Sequence, residues 1–217
     1  MLSEKHILNS LIGFYKKSGW KKWFVRIRLW DSPYKDIDRA VPESGLILDL
    51  GCGDGIITNY LALKGIKRKL IGVEVDSNRV KDADKGLGNT EYKKANILNI
   101  RFPKVDTVLM VHLLHHVFSK KGQEKIIKKS VEALAKGGKV IIVEVDYKPR
   151  IKYWVSWLVD AFIVPILFEG KFCDFKFTYR RAEEWKRLLE KYGCEVNLQR
   201  ADKNKPFSHV ILVGKKK

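Results

Sequence analysis

Cysteine is scarce: among 217 residues only Cys52, Cys173 and Cys194 carry a thiol, with no Cys-x-x-Cys pair and no Cys/His cluster at metal-ligand spacing. A disulfide-stapled scaffold and a zinc site are therefore excluded as organising features, and no metal is expected. No secretory leader is expected. MLSEKHILNSLIGFYKK sets Glu4, Lys5 and His6 before a short apolar stretch and offers no small-residue cleavage site, so the expected address is cytoplasmic. Acidic residues are few beside basic ones, 25 against 43, which leaves a formal net charge of +18. Such a field favours anionic partners (nucleic acid, a membrane surface, a phosphorylated substrate), and a Lys-rich solvated surface accounts for the same count. Long hydrophobic runs are almost absent. The exception, Ile151 to Phe168 (IKYWVSWLVDAFIVPILF), is broken by Lys152, Asp160 and Pro165. That is too interrupted to span a bilayer and reads as a buried helix, a lid over a pocket or an interfacial element.

What is present is enough for one domain with a sizeable core: 45% of residues are hydrophobic and 11% aromatic. In residues 1–44, Phe14, Tyr15, Trp20, Trp23, Phe24 and Trp30 interleave with Lys and Arg, which predicts a basic, aromatic cap of one or two amphipathic helices. From residue 45 to 217, with an apolar insertion at 151–177, strand and helix patterns alternate. Strands are expected at Leu46–Leu50, Lys69–Val75, Glu91–Ala95, Thr107–Val111, Val140–Val145, Glu195–Arg200 and His209–Val213. Helices are expected at Ile56–Leu63, from Asn78 with Ser77 as its cap, at Gln123–Ala135 with Gly137-Gly138 as its stop, and around Trp185, Leu188, Leu189 and Tyr192. Near-continuous apolar strands separated by helices imply a sheet covered on both faces. The fold class is α/β: a doubly wound, Rossmann-like, seven-stranded, mostly parallel sheet whose last strand runs antiparallel, because no helix separates the final pair.

The sharpest local signal is Asp49-Leu50-Gly51-Cys52-Gly53-Asp54-Gly55, between the first strand and its helix. Gly51 and Gly53 permit a tight turn and close approach of backbone to a ligand. The helix that follows presents free N–H groups and a positive dipole end. Glu74 closes the second strand, where an acid accepts from both ribose hydroxyls. The dinucleotide fingerprint wants a third glycine where Ile56 stands; here it falls one residue early, at Gly55. An NAD-type oxidoreductase is thereby disfavoured.

ILDLGCGDG resembles the first motif of class I S-adenosylmethionine-dependent methyltransferases. GVEVDSN (Gly72–Asn78), KANIL (Lys94–Leu98), VDTVLMVHLLHHV (Val105–Val117) and LAKGGKVIIVEVD (Leu134–Asp146) continue in register with that family. The resemblance implies S-adenosyl-L-methionine as cofactor. It places Asp49 and the Gly51, Cys52, Gly53 and Gly55 loop at the methionine end, Glu74 on the ribose, and Val75 along the adenine. Asn96 stands where the family usually has an acid near the adenine amino group, and Ile97 would offer its N–H to the ring. Val111 and His112 would face the methionine part and the transferable methyl.

Methyl transfer needs alignment and exclusion of water, and a base only if the acceptor must shed a proton. His112, His115 and His116 are the candidates for that base, with His112 best placed at the mouth of the fourth strand; His115 and His116 read equally as capping or packing the helix that follows, and Glu144 and Asp146 could also face the pocket. The family's nucleic-acid amino enzymes carry an Asn/Asp-Pro-Pro-Tyr motif after strand four, where this chain has Met110-Val111-His112-Leu113-Leu114, and no Pro-Cys pair is present. Nucleic acid is thus not favoured. The expected partner is a small acceptor, apolar or membrane-associated, roofed by the basic N-terminus and the insertion with Trp154, Trp157, Phe162 and Phe168 in its wall, and membrane-surface contact is compatible with the charge. An RNA methyltransferase and a non-catalytic nucleoside-binding protein are the rival readings.

Overall fold

The computed structural model describes residues 3–15, 19–163, 172 and 177–217. Cys173, Phe168 and Pro165 lie outside them. Three helices lead in: α1 (Glu4–Phe14), α2 (Gly19–Asp31) and α3 (Tyr34–Ala40). They are followed by β1 (Gly45–Leu50), α4 (Ile56–Lys64), β2 (Arg68–Glu74), α5 (Ser77–Ala83), β3 (Thr90–Lys94) and β4 (Val105–Val111). Then come α6 (Lys120–Ala133), β5 (Leu134–Val145), α7 (Arg150–Leu158), α8 (Ala182–Lys191), β6 (Cys194–Arg200) and β7 (His209–Lys216).

The strands form a seven-stranded sheet in the order β3-β2-β1-β4-β5-β7-β6. The chain winds outward from β1 to β3, then returns to place β4 on the other side of β1, with Asp49 opposite Leu109. The strand order reverses between β1 and β4, so a crevice opens at their carboxyl ends, the place where such sheets take ligands. Strand β7 slots antiparallel between β5 and β6, as expected from a final connection too short to cross over.

Period-2 alternation distributes the strand side chains between two cores. Leu48, Leu50, Val108, Met110, Val140 and Ile142 face the layer of α6 and α8, where Ile126, Ile127, Trp185 and Leu189 meet them. Ile47, Leu109, Ile141 and Val143 face the opposite layer, built by Tyr60 and Leu61 of α4 and by Ile7, Leu11, Val25, Leu29 and Ile37 of the three leading helices. The aromatic N-terminal segment therefore packs as part of one layer.

Two local expectations are corrected. Asp76, not Ser77, caps α5: its carboxylate accepts from Asn78 N at 2.7 Å and Arg79 N at 3.2 Å, and a carboxylate is also the better partner for the helix dipole. Gly137-Gly138 does not stop α6. The helix starts earlier, capped by Ser119, and ends at Ala133; β5 begins directly at Leu134. Pairing jumps from Val105↔Leu134 to Thr107↔Lys139, and the surplus residues bulge through Gly137, whose φ is +73°.

Candidate active site

Strand β1 delivers Asp49 into the crevice with its carboxylate buried. Thr58 of α4 donates to its Oδ2 at 2.5 Å, and among the described residues no Lys or Arg offsets the charge. Burial, with the nearby Glu74 carboxylate adding to it, pushes the Asp49 pKa up to about 7 despite the Thr58 bond. Half-neutralised in this way, the group suits a cationic ligand that would restore its charge.

The chain then turns sharply. Gly51 N and Cys52 N both donate to Val73 O, at 2.8 and 3.2 Å, which seats the loop on the end of β2. Gly51 has φ +68°, and a Cβ there would lie 2.5 Å from Leu113 Cδ1. Gly55 caps α4 at φ +72°, where a Cβ would meet that of Ala83 at 2.7 Å. Both positions exclude a side chain for conformational and steric reasons together. Cys52 is half-buried, and desolvation pushes its thiol pKa up, so it is an inert packing thiol rather than a nucleophile.

Glu74 closes the loop from the other side. Its Oε2 accepts from Gly53 N at 3.0 Å, and its Oε1 accepts from Val75 N at 2.7 Å and Asp76 N at 3.2 Å. The carboxylate is thus fixed by three backbone donors, with a lone pair of Oε2 left for a hydroxyl. Val75 beside it is exposed. Asn96, exposed past β3, uses its amide oxygen to accept from Leu98 N at 3.0 Å, while Ile97 is buried and its carbonyl takes Lys129 Nζ at 2.8 Å. The structure therefore gathers Asp49, the glycine loop, Glu74 and Val75 on one rim and puts Asn96 across the next strand end.

At the end of β4, Val111 is half-buried and His112 adopts φ +52°, a left-handed backbone rare for histidine, held by its N–H donating to Val143 O at 2.9 Å. His112 Nε2 is sealed from solvent and has no hydrogen-bond partner among the described residues. Burial holds its pKa well below the ordinary imidazole range, with His209 and the Arg28 cation adding to the effect. His115 is buried: its Nδ1 meets the buried Glu144 Oε2 at 2.6 Å, and its ring stacks on Tyr179 at 5.2 Å. Glu144 also accepts from Leu114 N at 2.6 Å, so its carboxylate is spent on the turn after β4. Asp146 likewise accepts from Ala182 N at 3.2 Å, at the start of α8. Trp154 is exposed and packs edge-on against Trp157, with ring centroids 5.7 Å apart.

Several contributors were missed from sequence. Tyr15 donates to Asp54 O at 2.6 Å and accepts from Asn59 Nδ2 at 3.3 Å, so the N-terminal segment pins the glycine loop. Gln123 Nε2 donates to Leu114 O at 3.0 Å and Thr178 O at 2.6 Å, and its Oε1 takes Arg180 Nε at 2.7 Å, tying α6 to both walls. Asp31 and His209 form a buried pair at 3.0 Å, with the His209 ring 4.8 Å from that of His112.

Residues 47–138 match the family model of a methyltransferase domain. That segment is matched as a methyltransferase domain, and the fold around it is shared with S-adenosylmethionine-dependent methyltransferases. A protein of Encephalitozoon cuniculi named as a methyltransferase is 24% identical over 188 residues, 86% of this chain and 81% of that protein. (S)-coclaurine N-methyltransferase of Thalictrum flavum subsp. glaucum is 30% identical over 121 residues, 51% of this chain but 32% of that enzyme. The structure of DhpI with S-adenosylhomocysteine shares the fold at TM-score 0.68 and 18% identity, covering 99% of this chain and 98% of that one. No group of three or more His, Cys, Asp or Glu among the described residues could hold a metal.

Proposed function

We propose that this methyltransferase acts on a small, apolar acceptor held over the carboxyl ends of β4 and β5, beside a donor seated between Asp49 and Glu74. When bound, S-adenosylmethionine supplies a methyl group on a cationic sulfur that leaves as a neutral thioether. The residues fit that group. An uncompensated carboxylate at Asp49 suits its ammonium, Glu74 keeps acceptor capacity for ribose hydroxyls, and the loop gives close backbone approach. DhpI, which has this fold, was solved with the demethylated donor, and the coclaurine enzyme bears the name of a small-molecule N-methyltransferase; both support the assignment.

The observation that carries the acceptor side is the aromatic cluster beside His112. The His115 ring stands 6.3 Å from that of His112, and Phe177 and Tyr179 pack on His115 at 6.1 and 5.2 Å. His112 supplies a buried, neutral nitrogen with no competing partner among the described residues. Its lowered pKa keeps the lone pair open at neutral pH, so it takes a proton from a protic acceptor as the methyl group arrives. Gln123 and Glu144 hold the two walls in place without touching the reacting atoms. The test is transfer of labelled methyl to a panel of small phenols, amines and quinols, with RNA as a control arm and His112→Gln beside the native chain. Transfer to a small acceptor that falls in His112→Gln supports the proposal. Transfer to RNA alone, or none at all by a chain that binds the donor, overturns it.

A further inference from the structure

Helix α7 is built inside out. Its polar side holds it to the protein: Lys152 Nζ donates to Asp202 O at 2.6 Å and pairs with the Asp202 carboxylate at 3.1 Å. Buried Ser156 accepts from Ser208 N at 3.4 Å. The opposite side carries Ile151, Trp154, Val155 and Leu158 at i, i+3, i+4 and i+7, with exposures of 80%, 56%, 37% and 50%. A helix serving only the core turns such a stripe inward. Here it faces solvent, and Trp30 of α2 stands exposed at the same end, since Lys205 of the same 201–208 loop donates to Trp30 O.

Among the described side chains, the charges around this face share one sign. Lys148, Arg150 and Lys203 are exposed. The acids of the same end are consumed internally: Asp202 by Lys152 and Arg200, Asp146 by the start of α8, Asp31 by His209. We propose that this face docks on an anionic lipid bilayer, with α7 lying in the interface plane, its tryptophan and aliphatic side chains among the acyl chains and the flanking cations at the headgroups. A second copy of the chain is the poorer occupant, because it would bring another body of net charge +18 against an already basic face. Nucleic acid matches the charge but not the aliphatic stripe. Among the described residues no helix is long and apolar enough to cross a membrane, so the contact is peripheral. Because α7 follows β5 directly, the docked face borders the acceptor side of the site, where an apolar acceptor could enter from the lipid. That corollary rests on the proposed function; the docking itself does not.

The experiment is co-sedimentation of the full chain with phosphatidylcholine vesicles, with and without phosphatidylglycerol. The variants are Trp154→Ser/Leu158→Ser and Lys148→Glu/Arg150→Glu, with S-adenosylhomocysteine binding and light scattering measured on the same samples. The native chain is expected to pellet with anionic vesicles, and each double variant to bind them about tenfold or more weakly while still binding S-adenosylhomocysteine, as exposed positions should allow. Equal vesicle binding by native and variant chains overturns the proposal. So does a native dimer that Trp154→Ser/Leu158→Ser disperses, which would assign the face to self-association. Loss of nucleoside binding in the native chain would instead strike at the methyl-transfer proposal and leave the docking result standing.

Discussion

Asp49→Asn should make the ligand-free protein more stable and the donor site worse. The Asp49 carboxyl titrates at about 7 in the fold against 3.8 for the free side chain. The folded chain therefore holds a proton that the unfolded chain has released, between about pH 4 and pH 7. A raised pKa of this kind contributes its stability below about pH 4 and loses it as the pH climbs through 7. The shift corresponds to about 4 kcal/mol at pH 8, at 1.36 kcal/mol per unit. Asparagine never ionises, so it escapes that loss and still accepts from Thr58 through its amide oxygen. Its buried amide N–H₂ costs about 1–3 kcal/mol if unpaired. The variant should then gain about 1–3 kcal/mol at pH 8, or several degrees in Tm for a chain of this size, and the gain should vanish and reverse toward pH 4. Binding of S-adenosylhomocysteine should fall about tenfold to a hundredfold, as for a charged hydrogen-bond partner removed. Denaturant melts and thermal scans from acid to alkaline pH, with and without that ligand, measure all of this. Parallel pH curves for the two proteins would refute the burial account. An unchanged ligand response would refute the placement of Asp49 at the donor.

Other perturbations probe the rest of the site. Gly51→Ala forces a Cβ to within 2.5 Å of Leu113 at a φ of +68°; it should cost about 1–3 kcal/mol in urea melts and abolish nucleoside binding. Tyr15→Phe leaves the Asp54 carbonyl and Asn59 without their phenol partner, which should cost about 1–3 kcal/mol and speed amide exchange in the glycine loop. His112→Gln should lower the methyl-transfer rate while leaving S-adenosylhomocysteine affinity intact. Because the folded His112 pKa is depressed, the native rate should hold as the pH falls through about 6.5 and decline only below it. An acid limb centred at or above the free imidazole value would contradict that assignment.

What could be read from the sequence was local. Asp49, the glycines and Glu74 announce themselves because a strand, a forced left-handed turn and a helix start occupy consecutive residues, and the second strand sets its acid beside them by parallel pairing. What could not be read depended on distant partners. Tyr15 reaches the loop across 39 residues, and Asp31 meets His209 across 178; neither pairing has a periodic trace. Gly137-Gly138 carries the composition of a helix stop, yet β4 pairs with Leu134 and turns the glycines into a bulge. The insertion after β5 was legible as apolar, but its direction was not. The Lys152 and Ser156 anchors decide that the stripe on α7 faces outward, and they act through residues 201–208, far along the chain.

Calorimetric titration of S-adenosylhomocysteine into the folded chain bears most directly on the whole account. One site per chain, weakened in Glu74→Ala and in Asp49→Asn, is the predicted result; a native protein that melts cooperatively yet takes up no ligand would contradict it.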